Sequence, residues 1–293
     1  MNLPSLPAII RSMIIDFHTH VFSPKINQDR LRHIDRDPLF ALLYSRPQAK
    51  LATAEELIAS MDKTGVEISV ILNAGWTTNE LCRETNDYIL ESIARYSKRL
   101  IGFCTVQPKS IDAAVAEIER CARAGARGIG EMRPDIQSFD LTDEEVMTPF
   151  VAALRKHKLI LLTHASEPVG HDYRGKGAIT PDVLYPFSTR YPDVPLVCAH
   201  WGGGLPFYAL MPEVKQAMKN VYFDTAASPF LYSPQIYRRV ADLVGADRIL
   251  FGTDYPLLSP TRLLDEINTT DLSEAEKRLI LSENARRLLG LGS

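Results

Sequence analysis

Eight short apolar runs recur along this 293-residue chain, each separated from the next by a longer, more polar stretch. They are residues 13–18 (MIIDFH), 66–72 (VEISVIL), 100–106 (LIGFCTV), 127–132 (RGIGEM), 159–165 (LILLTHA), 195–200 (PLVCAH), 221–226 (VYFDTA) and 248–254 (RILFGTD). All are aliphatic or β-branched with little polar alternation, the pattern of strands covered on both faces. The intervening segments read as helices. In 78–99 and 110–125 the pattern is clearest; Ser110 is placed to cap the second and Gly125 to stop it, with Ala113, Ala116, Ile118 and Cys121 as its apolar stripe. Segment 144–157 and those after Pro206, Ser233 and Pro260 read similarly. Such alternation implies parallel βαβ units, and eight of them predict closure into a (β/α)8 TIM barrel, which needs about 250 residues.

Nothing in the composition marks a linker, so residues 1–293 are expected to form one barrel domain, with 1–12 as an N-terminal extension. The formal charge of −3 argues against a nucleic-acid partner, since a phosphate-binding face needs an excess of Lys and Arg. No run approaches the ~20 apolar residues of a membrane span. Residues 1–12 carry two prolines and no sustained apolar core, unlike a signal peptide. The four cysteines form no CxxC pair, and Cys104 and Cys198 lie within apolar runs, which fits buried thiols in a reducing compartment. A cytoplasmic location is the expectation.

Two connections, 21–53 and 166–179, are too long for simple βα turns. In a barrel both would lie on the C-terminal rim of the strands, where active sites are found.

Metal-ligating residue types gather at that same rim. His18 and His20 end the first run, Glu131 the fourth, His164 the fifth, His200 the sixth and Asp254 the eighth. Residues two apart on a strand share a face, so His18 and His20 can reach one ion. Four of the chain's seven histidines fall at these ends. Imidazole and carboxylate together suit Zn2+, with Mn2+ and Fe2+ as alternatives. Glu131 has two readings, metal ligand or ion-pair partner of Arg133 or Arg127, so the count stays open at one or two ions. Asp16 lies deeper on the face of His18 and reads as a supporting polar group, and Asp224 as a proton acceptor for a ligand imidazole. Gly202 to Gly204 could offer N–H groups to an anion or form a tight turn. Arg133, Trp76, Tyr173, Arg174 and Lys176 stand just beyond strand ends or in the second rim loop, where they could grip a substrate carboxylate. His171 and His157 read as incidental.

IIDFHTH, LLTHA, CAHWGGG, FGTDYP and the terminal SENARRLLGL together resemble the amidohydrolase superfamily, and in particular its amidohydrolase-related branch around aminocarboxymuconate-semialdehyde decarboxylase. The resemblance runs from Ile14 to Leu291. It implies metal ligation by His18, His20, His164 and Asp254, with His200 either free to polarise substrate and move protons or ligating a second ion. GIGEMRPD resembles the fourth-strand motif of TatD-like hydrolases, whose glutamate helps hold two metals. No lysine ends the fourth run, which argues against a carbamylated-lysine bridge.

The expected activity is hydrolysis of a small carboxylate-bearing ester, lactone or amide by a metal-activated water, with Asp254 and His200 as catalytic residues. The alternative is metal-dependent non-oxidative decarboxylation, with Asp254 or His200 protonating the carbon that loses CO2. A TatD-like nuclease and a metal-free binding barrel rank below both. A small molecule is the expected partner, and a homodimer the expected assembly.

Overall fold

A computed structural model describes residues 13–292; the N-terminal extension read for 1–12 lies outside the described residues. Eight strands follow one another around the sheet: β1 (Ile15–His20), β2 (Ile68–Leu72), β3 (Leu100–Cys104), β4 (Gly128–Met132), β5 (Ile160–Thr163), β6 (Leu196–Cys198), β7 (Val221–Asp224) and β8 (Ile249–Leu250). Every neighbouring pair is parallel. The ring is closed by hydrogen bonds from Phe17 N–H to Phe251 O at 2.7 Å, Asp254 N–H to His18 O at 2.9 Å and His20 N–H to Tyr255 O at 2.7 Å. The chain is a TIM barrel.

Alternation sorts each strand's residues between two cores. Val70, Leu72, Phe103, Ile160, Leu162, Val197, Tyr222 and Leu250 fill the barrel with Ile15 and Phe17, while Ile71, Cys104, Ile129, Leu161, Cys198, Phe223 and Ile249 face the helices. Two strands break step. The β1–β2 register shifts between Asp16 and Thr19, and the β4–β5 register between Ile129 and Met132. Strict alternation would put His18 opposite in facing to Phe17, and Glu131 on the helix side with Ile129. The shifts turn both functional side chains inward, which is the usual work of a bulge beside a site.

Strands are shorter than the apolar runs because pairing stops while the chain continues up to the rim; β8 holds only Ile249–Leu250 of the predicted 248–254. The helix expected over 78–99 is Asn79–Arg95, and that over 110–125 is Ile111–Arg123. Two details of the latter differ from expectation. Ser110 occupies the N-cap position without a capping side-chain bond, and Ala113 and Ala116 are exposed. The buried face is instead Ala114, Glu117, Ile118 and Cys121. Glu117 can turn inward because Asn86 Nδ2 donates to it at 2.9 Å and Arg120 donates twice, at 2.8 and 2.6 Å.

The first rim connection is not a loop but three short helices: α1 (Pro24–Gln28), α2 (Arg30–Arg36) and α3 (Pro38–Tyr44). α1 and α3 each begin with proline after a residue whose side chain caps the first turn, Ser23 and Asp37. Asp37 also accepts from Thr77 N–H and Oγ1 at 2.8 and 2.7 Å, pinning this rim to the loop after β2. An aromatic cluster of Phe22, Phe40, Tyr44 and Trp76 completes the attachment, with Trp76 stacked on Phe40 at 5.2 Å. Among the described residues no helix is long and apolar enough to cross a membrane.

Candidate metal centre and substrate cavity

The six side chains expected at the strand ends converge. His18 Nε2 and His20 Nε2 are 3.1 Å apart, and Asp254 Oδ1 lies 3.2 Å from His20 Nε2 and 3.8 Å from His18 Nε2. Glu131 leans over this trio, its Oε2 3.6 Å from His20 Nε2 and 3.9 Å from His18 Nε2. Its Oε1 meets His164 Nδ1 at 2.8 Å and His200 Nε2 at 3.5 Å. Two ligand-type groups result, His18–His20–Asp254 and Glu131–His164–His200, with Glu131 between them. It makes no ion pair with Arg133 or Arg127; Arg133 instead bonds Asp135 at 3.1 and 3.0 Å.

This donor set fits a divalent ion. His18 Nδ1 is committed to Asp224 Oδ2 at 2.8 Å, so a neutral His18 presents a bare Nε2 lone pair to the centre. Nitrogen and oxygen atoms bound at about 2.0–2.1 Å in a tetrahedron stand roughly 3.3 Å apart. The separations of 3.1 and 3.2 Å around His20 Nε2 match that edge. Without a cation between them, such lone pairs would repel.

Electrostatics point the same way. Burial disfavours the charged form of His18, yet Asp224, Glu131 and Asp254 together push its pKa up to about 10. His200 rises to about 9 against its own burial, chiefly through Glu131. Asp254 is also buried, but His20, His18 and His200 hold its carboxyl down at about 2, and Glu131 is held well below the usual range by His164 and His200. His164 falls to about 4, through burial and the nearby Arg133 guanidinium, so its ring is neutral as a ligand requires. The centre is a negative pocket that attracts positive charge.

Above it opens a cavity of about 530 Å3. Its floor is His20, Glu131, His164, His200 and Asp254; its walls come from both rim segments, residues 43–50 and 171–175, and from Phe230, Leu231 and Leu257. Arg133, Tyr173 and Arg174 line it. Arg174 Nη2 donates to Ser45 Oγ at 2.6 Å, so the two rim segments meet over the site.

Other expected positions fall elsewhere. Trp76 is fully buried beneath the first rim segment, its Nε1–H donating to Asn73 Oδ1 at 2.7 Å, and does not line the cavity. Lys176 is spent on the carbonyls of residues 169–171. The N–H groups of Gly203 and Gly204 close a tight turn on His200 O and Trp201 O. Asp16 accepts from Thr253 Oγ1 at 2.6 Å and Thr253 N–H at 3.0 Å, tying β1 to the chain just before Asp254. Sequence reasoning passed over Tyr44, Arg46 and Lys50, three lining residues within the first rim segment, and read as incidental His171, which reaches the wall. The one signal for the first three was the length of their segment.

The amidohydrolase family model matches residues 15–291. Among curated relatives, gamma-resorcylate decarboxylase of Polaromonas sp. is 24% identical over 281 residues, covering 79% of this chain and 85% of the relative. L-fucono-1,5-lactonase of Burkholderia ambifaria is 23% identical over 222 residues, covering 69% of each. The fold matches the crystal structure of 5-carboxyvanillate decarboxylase from Sphingomonas paucimobilis with a TM-score of 0.80 at 19% identity, over 96% of this chain and 99% of that one. The corresponding enzyme of Novosphingobium aromaticivorans, complexed with manganese and 4-hydroxy-3-methoxy-5-nitrobenzoic acid, matches with a TM-score of 0.77 at 21% identity, over 96% and 97%. With a family match that spans the whole barrel, this chain belongs to the amidohydrolase family.

Proposed function

We propose that the protein catalyses non-oxidative decarboxylation of a small aromatic carboxylate, with a divalent ion held by His18, His20, His164 and Asp254. The observation that carries this reading is the cavity's division of labour. Its floor is imidazole and carboxylate, whereas its walls combine aromatic and aliphatic side chains (Tyr44, Tyr173, Phe230, Leu231) with the cations Arg46, Lys50 and Arg174. A flat apolar acid satisfies both regions. The decarboxylase names and the manganese among the relatives support it. Zinc, the ion first expected, has no such support.

When bound, the ion supplies a Lewis acid that fixes and polarises substrate oxygens. The remaining chemistry belongs to the chain. The apolar wall excludes water and orients the ring, and the rim cations hold the acid during entry. His200 donates Nδ1–H to Ala226 O at 3.1 Å, which aims Nε2 into the cavity. From that atom a proton reaches the ring carbon bearing the carboxylate. The C–C bond then breaks, CO2 departs, and the bonding pair restores the ring.

Lactone hydrolysis is the second reading, motivated by the lactonase relative and by Glu131 at a two-group centre. The apolar wall disfavours a polyhydroxylated lactone. Manganese-loaded protein should release CO2 from hydroxybenzoates and leave sugar lactones untouched. Lactone hydrolysis without CO2 release from any aromatic acid would reverse the order.

A further inference from the structure

One hydroxyl oxygen of the second rim segment meets both the His164 ring and the far end of the same segment. Ser166 is fully buried and follows His164 by two residues. Its Oγ lies 3.0 Å from His164 Nε2, the ring nitrogen turned away from the centre, and accepts from Gly177 N–H at 2.9 Å. The backbone of Ser166 is fixed as well: its N–H donates to Ile179 O at 2.8 Å, and Gly203 packs so closely on it that a Cβ there would run into the Ser166 carbonyl. Beside this junction, Ala178 N–H donates to Asp135 Oδ2 at 3.2 Å. The start and end of segment 166–179 are thus clamped together, with the His164 ring in the clamp.

We infer that Ser166 is a positioning residue that holds His164 in its ligating orientation and couples the order of the 166–179 rim segment to metal binding. The inference rests on the reading of His164 as a ligand through Nδ1. A hydroxyl suits the task because it can donate or accept. When Nδ1 gives its lone pair to an ion, the ring proton must sit on Nε2, and Ser166 Oγ accepts it. When Nδ1–H bonds Glu131 instead, the same hydroxyl can donate to Nε2. Gly177 N–H occupies a lone pair of that oxygen in both cases, so Tyr173 and Arg174 are carried on a segment registered to the ligand ring. Partners of ligating histidines typically contribute 10–100-fold to metal affinity.

The test uses the full chain stripped of metal, with Mn2+ affinity measured by competition against a chromophoric chelator. Ser166→Ala should weaken Mn2+ binding by roughly 10–100-fold, and Ser166→Thr should restore most of the loss. Limited proteolysis supplies a readout beyond affinity: Mn2+ should protect residues 167–176 in the wild type but not in S166A. Ser166→Cys, closer in volume, takes the place of S166A should the alanine variant not fold. His164→Ala separates the two layers of the argument. Wild-type affinity in S166A alongside lost affinity in H164A overturns the role of Ser166 and leaves the ligand assignment standing. Wild-type affinity in H164A overturns the ligand assignment itself, and the inference with it.

Discussion

Asp224 binds two histidines of the centre with its two oxygens: Oδ2 accepts from His18 Nδ1 at 2.8 Å, and Oδ1 accepts from His200 N–H at 2.9 Å. Oδ1 also accepts from Ala226 N–H at 3.1 Å, and neither Asp224 nor His18 has any solvent exposure. One carboxylate therefore sets the ring of His18 and the backbone position of His200. Asparagine has a single acceptor oxygen and must turn its NH2 toward one of these donors. Asp224→Asn should weaken metal binding by about 10–100-fold and cost about 1–3 kcal/mol of stability through a buried unsatisfied donor. Chelator competition and urea unfolding read the two effects separately.

Metal removal should lower stability as well as activity. The centre holds two carboxylates and four imidazoles in a buried cluster, and a ligand that binds only the folded state stabilises it by mass action. At a free ion concentration 100 times Kd the stabilisation is about 2.7 kcal/mol. Chelated protein should melt several degrees lower, with Mn2+ restoring the melting temperature in a concentration-dependent manner. A melting temperature indifferent to Mn2+ would argue against an ion in the cluster.

Gly203 has φ +57° and packs directly on the backbone of Ser166. Its N–H also closes the turn on His200 O at 3.2 Å. Alanine there meets left-handed backbone strain of about 1–2 kcal/mol together with an overpacking cost of about 1–3 kcal/mol. Gly203→Ala should therefore lose a few kcal/mol in urea unfolding. Gly170, with φ +94° and open space around it, should lose only the backbone part on the same change.

Acid sensitivity should trace partly to Glu117. Burial raises its pKa, but Arg120 and Asn86 outweigh that and leave it below the ordinary value. A carboxylate depressed on folding stabilises the protein above its unfolded pKa of about 4.3, and that contribution is lost as pH falls through the folded value. Glu117→Gln should cost about 1 kcal/mol at neutral pH, the partly exposed Arg120 keeping the figure small. The difference from wild type should close below about pH 4. A gap that did not narrow at all in acid would place the loss in packing rather than charge.

The barrel was legible in the sequence because strands covered on both faces must be written as continuous apolar runs, and eight such runs leave few alternatives. The convergence of ligand-type side chains was legible for a related reason: His18, His20, His164, His200 and Asp254 all stand where an apolar run gives way to polar residues. Glu131 was harder, because strict alternation assigns it to the helix side with Ile129, and only a register shift turns it inward. Trp76 misled because a position just past a strand end suggests the cavity, whereas three rim helices close over it. Those helices have their own sequence signal in Ser23–Pro24 and Asp37–Pro38, a capping residue followed by proline in each case. Ser166 carried no signal of its own. Its role depends on Gly177 and Gly203 arriving from distant parts of the chain.

Arg174 reaching across to Ser45 joins two rim segments that contribute cavity wall but none of the strand-end histidines and carboxylates. On the proposed reading, reactivity and selectivity are thereby encoded in separate stretches of the gene. Descendants could exchange residues 43–50 and 171–175 as a matched pair, changing what enters the cavity while the strand-end cluster beneath stayed intact.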